Sequence, residues 1–134
     1  MASIKDIVET NRGYADALTE AGVRTTEQLL EVGATSTSRM HLADETHLSI
    51  DTIQELVHSA DLMRVPGVGS EIAELLRQVG VTTVPKLAYR NPDTLYDDIV
   101  EYNDAHRLVK SVPSTLELEK FIAFAKQLPK LIHH

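Results

Sequence analysis

The chain has 134 residues, 43% hydrophobic but only 4% aromatic, which allows one domain, or two very small ones, around an aliphatic core. It contains no cysteine, so disulfides and thiolate zinc sites are excluded and a reducing cytoplasm is the expected compartment. The net charge is -7 and uneven: residues 1–64 hold 5 basic and 11 acidic side chains, residues 65–134 hold 8 and 9.

Neither half is basic enough for the clustered cationic surface on which strong non-specific nucleic-acid binding depends. The opening "MASIKDIVETNRGYADALTE" has no long apolar run. Secretion by the usual signal, membrane insertion and a membrane partner are therefore not expected.

In chain order, the spacing predicts helices throughout. "YADALTE" is helical and closes at Gly22. Thr25 or Thr26 precedes "EQLLEV", Ser36 or Ser38 caps "RMHLADET", and a helix follows over residues 49–63, "SIDTIQELVHSADLM". Ser70 caps a helix running to about Val79, with Ile72, Leu75, Leu76 and Val79 on one face and Gly80 closing it. Thr83 caps a short helix with Pro85 in its first turn, and Asn91-Pro92 opens "PDTLYDDIVEYN". Ser114–Glu117, "STLE", is a capping box before "LEKFIAFAKQL". No segment alternates long enough to predict a strand.

The chain also repeats itself. At an offset of 58, Ala15, Leu18, Gly22, Val23, Thr25 and Leu29 fall on Ala73, Leu76, Gly80, Val81, Thr83 and Leu87. "SIDTIQELVHSA" from Ser49 then lies on "STLELEKFIAFA" from Ser114, which puts an insertion near "EYNDAHRLVKSVP". Two matches in the same order favour duplication: a first repeat over 1–64 and a second over 65–134, with the 49–63 helix packing before the second.

Between two of these helices lies "RVPGVGSEIAELLRQVGV". Gly67 and Gly69 allow backbone angles or approaches that a Cβ obstructs, and Val68 is placed to anchor between helices. The amides around Gly67–Glu71 sit at a helix N-terminus, where an anion is favoured. The stretch resembles the helix-hairpin-helix motif through Val65, Gly67, Val68, Gly69, Ala73, Leu76, Gly80 and Val81. The resemblance implies a DNA-phosphate grip without sequence reading, through the backbone of Gly67, Val68, Gly69 and Ser70. Arg64, Arg77 and Lys86 are the cations assigned to help. Against it stand Glu71 and Glu74 in the first helical turn, which repel a phosphate. In the first repeat Glu9 and Asn11 occupy the places of the two glycines and Gly13 is displaced, so that hairpin is degenerate.

Taken together, "AGVRTTEQLLEVGAT", "SADLMRVPGVGSEIAELLRQVGV", "LAYRNPDTL" and "AKQLP" resemble the domain of unknown function 4332 family over nearly the entire chain. That resemblance implies paired helix-hairpin-helix units and no established activity.

Other constellations read as structural. His41 with Asp44 or Glu45 could touch a surface cation, but no complete ligand set is visible and a solvated face explains it. His58 and His106 have no partner at a recognisable spacing, and His133-His134 reads as a loose tail. There is no nucleophile elbow, phosphate loop, His-Glu-x-x-His or dinucleotide fingerprint. Asp97-Asp98 and Glu117/Glu119 fit solvated helix faces better than acid/base pairs. Arg90 reads as a ligand for a carboxylate or helix carbonyls, with Arg39 as its counterpart in the first repeat. Tyr89, Tyr96 and Tyr102 suit stacking or packing between helices.

The expected fold is all-α: two helix-hairpin-helix-containing repeats packed as one compact pseudo-twofold domain of SAM-like type. The expected function is a non-enzymatic adaptor working through a protein partner or self-association, with no cofactor and no metal. The alternative is weak, sequence-independent binding of a DNA backbone, which the acidic charge disfavours. A small metal- or phosphate-ligand sensor is a third reading.

Overall fold

Among the described helices most start where a short polar side chain accepts an amide of the first turn, and two start at a glycine, Gly13 or Gly69, with no side-chain cap. The computed structural model describes residues 2–7 and 13–134. Among them the protein is all-helical. A 3-10 turn at Ile4–Asp6 is followed by α1 (Tyr14–Glu20), α2 (Thr26–Val32), α3 (Ser36–Thr46), α4 (Ile50–Leu62), α5 (Ser70–Gln78), α6 (Val84–Ala88), α7 (Pro92–His106) and α8 (Thr115–Ala125). An isolated antiparallel bridge joins Ser3 and Thr25. No described helix is long and apolar enough to cross a membrane.

The chain divides into two compact units, Met1–Asp61 with Leu131–His134, and Leu62–Lys130. The division falls three residues before the sequence boundary at residue 64, and the last four residues return to the first unit.

In the first unit, Thr25 Oγ1 accepts the Gln28 amide at 3.1 Å and starts α2. The cap of α3 is Thr35, upstream of the expected Ser36 or Ser38. Thr35 Oγ1 accepts the Ser38 amide at 3.1 Å while Ser38 Oγ accepts the Thr35 amide at 3.0 Å, a reciprocal box that satisfies two orphan donors. Ser49 Oγ accepts from the Thr52 amide at 3.1 Å as α4 begins. α1 and α2 pack on α3, and Leu18, Leu29, Leu42, Ile53, Leu56 and Val57 are almost fully buried.

Arg39, 2% exposed, is the polar centre of this unit. One Nη donates to the Gly33 carbonyl at the end of α2 and the other to the His133 carbonyl, both at 2.8 Å. Burial lowers its pKa from the ordinary arginine value. The expected bridging role for Arg39 is realised on carbonyls, of which Gly33's sits at the negative end of the α2 dipole. The same contacts correct the expectation of a loose C-terminal tail. Ile132 is buried, the His133 amide donates to the Ala34 carbonyl at 2.8 Å, and the His134 ring lies 5.7 Å from that of His58.

In the second unit α8 packs on α6 and α7, and α5 packs on α7. Their shared core joins Leu62, Val65 and Val68 to Leu76, Leu95 and Phe121. Thr83 caps α6, and Asn91 Oδ1 accepts the Asp93 and Thr94 amides at 2.8 and 3.2 Å ahead of Pro92. Ser114 and Glu117 form the expected capping box on α8. The α5 terminus is a Schellman turn: Gly80 N–H donates to Arg77 O and Val81 N–H to Leu76 O, with Gly80 at φ 90°. In the first unit α1 ends with the same two bonds, Gly22 to Thr19 and Val23 to Leu18, with Gly22 at φ 88°.

Candidate functional site

The hairpin before α5 is built from a tight turn. The Val68 amide donates to the Val65 carbonyl at 3.0 Å across Pro66-Gly67, and Gly67 has φ 90°. A proline at the second position and a positive φ at the third make this a type II turn, which requires glycine or asparagine there. A methyl carbon on Gly67 would also stand 2.9 Å from Cε1 of Phe121. Val65 and Val68 are buried in the core of the unit, so the turn presents Pro66 and Gly67 outward. Gly67 is thus accounted for by architecture.

Gly69 is not. It is the N-cap of α5, with φ -87° and open space within 4 Å of the point where a Cβ would stand. This corrects the sequence assignment of Ser70 as cap; Ser70 is the first helical residue, and no side chain caps the helix. Any residue tolerates this conformation, and serine, threonine or aspartate would cap better. Among the described residues, the Gly69, Ser70, Glu71 and Ile72 amides make no hydrogen bond to a residue outside α5 and no side-chain cap serves them. The helix therefore starts with open donors and a bare glycine.

The cations expected to assist are placed otherwise. Arg64 Nη2 donates to the Pro129 carbonyl at 2.7 Å. Arg77 is half-buried in the last turn of α5, about 10 Å along the helix from Ser70 at 1.5 Å per residue. Lys86 is exposed on α6. None of the three lines the depression beside the start of α5.

That depression, about 800 Å³, is bordered by Glu71, Ile72, Asn103, Arg107, Lys110 and Ser111 among others. Asn103 holds its loop by accepting the Val109 amide at 2.9 Å and donating to the Val109 carbonyl at 3.0 Å. Arg107 and Lys110 are cations that sequence reasoning misses. Their signal is the stretch "EYNDAHRLVKSVP", which falls outside the internal sequence matches. Glu71 and Asp104 border the same depression, so its charges balance. Glu9 and Asn11, which fall on Gly67 and Gly69 at the sequence offset of 58, lie outside the described residues. Gly13 caps α1 at φ 91°.

A second concave surface lies at the corner between α6 and α7. Tyr89, the C-cap of α6, is 91% exposed, more than any other large hydrophobic side chain among the described residues. It borders a groove of about 760 Å³ with Ala88, Pro92, Leu128, Lys126 and Lys130. Arg90, also at the groove, is bound to Asp98 at 2.7 Å, a carboxylate, one of the two kinds of partner the sequence left open for it. Tyr96 and Tyr102 are instead partly buried against the core, and Tyr102 stacks on His106 at 4.1 Å. Elsewhere on the unit Leu116 is 60% and Phe124 39% exposed. Groups of three or more metal-ligating side chains are not found among the described residues.

No curated protein and no solved structure matches the chain. A family model described as "Domain of unknown function (DUF4332)" matches residues 9–128. With nearly its whole length matched, the chain belongs to the DUF4332 family.

Proposed function

We propose that this protein is a non-catalytic helical interaction module that docks a protein partner through its second unit, built as a duplicated helix-hairpin-helix scaffold. The observation that carries the reading is the exposure of Tyr89, Leu116 and Phe124 on helices whose ends are fixed by caps, prolines and a packed core. Large apolar side chains held rigidly in solvent favour association, because the ordering cost is met before a partner arrives. Support for duplication comes from the matching Schellman turns after α1 and α5 and the threonine caps of α2 and α6. The test is affinity capture by the intact protein and by a Tyr89→Ser, Leu116→Gln, Phe124→Gln variant. A partner retained by the first and lost by the second supports docking; equal retention contradicts it. Light scattering at several concentrations shows whether that partner is a second copy.

A second reading rests on the open amides at the start of α5. A backbone phosphate of a nucleic acid would satisfy donors that the protein leaves free, and Gly69 gives it room. Arg107 and Lys110 are then the assisting cations, opposed by Glu71. The overall charge of -7 weighs against this reading, since a polyanion is repelled before contact.

A further inference from the structure

The Tyr89 groove differs in charge from the rest of the surface. The chain carries 20 acidic residues, yet none lines this groove, whose rim bears Lys126 and Lys130. Both lysines are exposed and form no ion pair among the described residues. Arg90, by contrast, has its charge engaged by Asp98. The floor is apolar, from Ala88, Pro92, Ala125 and Leu128.

Both walls are braced. On one side Asn91 caps α7 through two amides, and Pro92 fixes the chain behind Tyr89. On the other, Arg64 holds the Pro129 carbonyl at 2.7 Å, between Leu128 and Lys130. Arg64, assigned from sequence to a phosphate, thus fixes the backbone of the groove wall. A Tyr platform with preset walls binds at low entropic cost, because its side chain loses little freedom.

We propose that this groove takes an acidic peptide segment of a partner protein. An apolar side chain of that segment packs on Tyr89 and Leu128, and flanking Asp or Glu residues pair with Lys126 and Lys130. This rests on the interaction-module reading and names its site and partner chemistry. A single-stranded nucleic acid is the less favoured occupant. It brings one charge per nucleotide toward an acidic protein, and one aromatic with two lysines is a short track for it. A short peptide brings a few charges that the two lysines match.

The experiment is selection of random dodecapeptides displayed on phage against the intact protein. Fluorescence anisotropy follows, with the strongest selected peptide labelled with fluorescein, and with labelled oligo-dT. The expected result is enrichment of sequences with Asp or Glu around an apolar residue. Binding of the labelled peptide should weaken about tenfold or more in Tyr89→Ala, as for an aromatic anchor, and clearly in Lys126→Glu/Lys130→Glu, with unchanged thermal unfolding. Oligo-dT binding lost in Tyr89→Ala would overturn the proposal in favour of a nucleic-acid groove. Selected peptides that bind Tyr89→Ala and the intact protein equally would overturn the groove and leave the module reading standing. Failure to enrich any acidic peptide would overturn the groove as well. If the intact protein and its Tyr89→Ser, Leu116→Gln, Phe124→Gln variant also capture the same proteins, the module reading falls with it.

Discussion

Gly67→Ala tests whether the hairpin is held by architecture. Two costs apply. The Gly67 φ of 90° would strain an alanine by about 1–2 kcal/mol. The added carbon would meet Phe121, 7% exposed, at 2.9 Å, an overpacking that costs about 1–3 kcal/mol. Alanine restricts the unfolded chain and returns about 0.4–1 kcal/mol. The net loss is about 1–5 kcal/mol. Gly69→Ala meets neither cost, since its φ is -87° and its surroundings are open. Its weaker cap and its unfolded-state gain nearly cancel, leaving a change within about 1 kcal/mol. Urea unfolding of the two variants, read at constant slope, measures the difference. In a Phe121→Leu background the Gly67→Ala loss should shrink by the crowding share, leaving the backbone strain. Equal losses for the two glycines, or a Gly67→Ala loss untouched by Phe121→Leu, would refute the reasoning.

Three further outcomes follow from the same contacts. Gly69→Asp supplies the missing cap of α5 and should raise stability by a few tenths of a kcal/mol or more, seen as a higher urea midpoint. Arg39→Met strands the Gly33 and His133 carbonyls and should cost about 2–4 kcal/mol. Arg39→Lys should not restore the loss, because one ammonium lacks the fork that spans both carbonyls; full rescue in a thermal melt would contradict the bridge. Asn91→Ala removes the acceptor for two α7 amides and should cost about 1 kcal/mol, measured by thermal unfolding.

The helices are legible in the sequence because their signals are local. Asn91-Pro92, Thr83 with Pro85, and Ser114 with Glu117 each state a cap within four residues, and each cap forms. Gly22 and Gly80 mark helix ends by the same logic. Ser36 and Ser38 mislead because the polar run "TSTS" offers several caps, and the reciprocal bonds between Thr35 and Ser38 start α3 from Thr35. Placement of the cations is not legible. Arg64 precedes the hairpin in sequence, but its partner Pro129 is 65 residues away. Arg107 and Lys110 reach the start of α5 through a loop fixed by Asn103. The order of the C-terminal tail is hidden for the same reason, since the carbonyl that Arg39 grips lies 94 residues further along.

Protein docking and phosphate binding are separated most directly by one titration. Fluorescein-labelled duplex and single-stranded DNA would be titrated with the intact protein and with Gly69→Asp, at low and at moderate salt. The interaction-module account predicts no binding to either DNA that falls steeply with salt, and no difference between the two proteins. Binding at low salt that weakens steeply as salt rises, and is abolished by an aspartate that leaves the fold at least as stable as before, would contradict it.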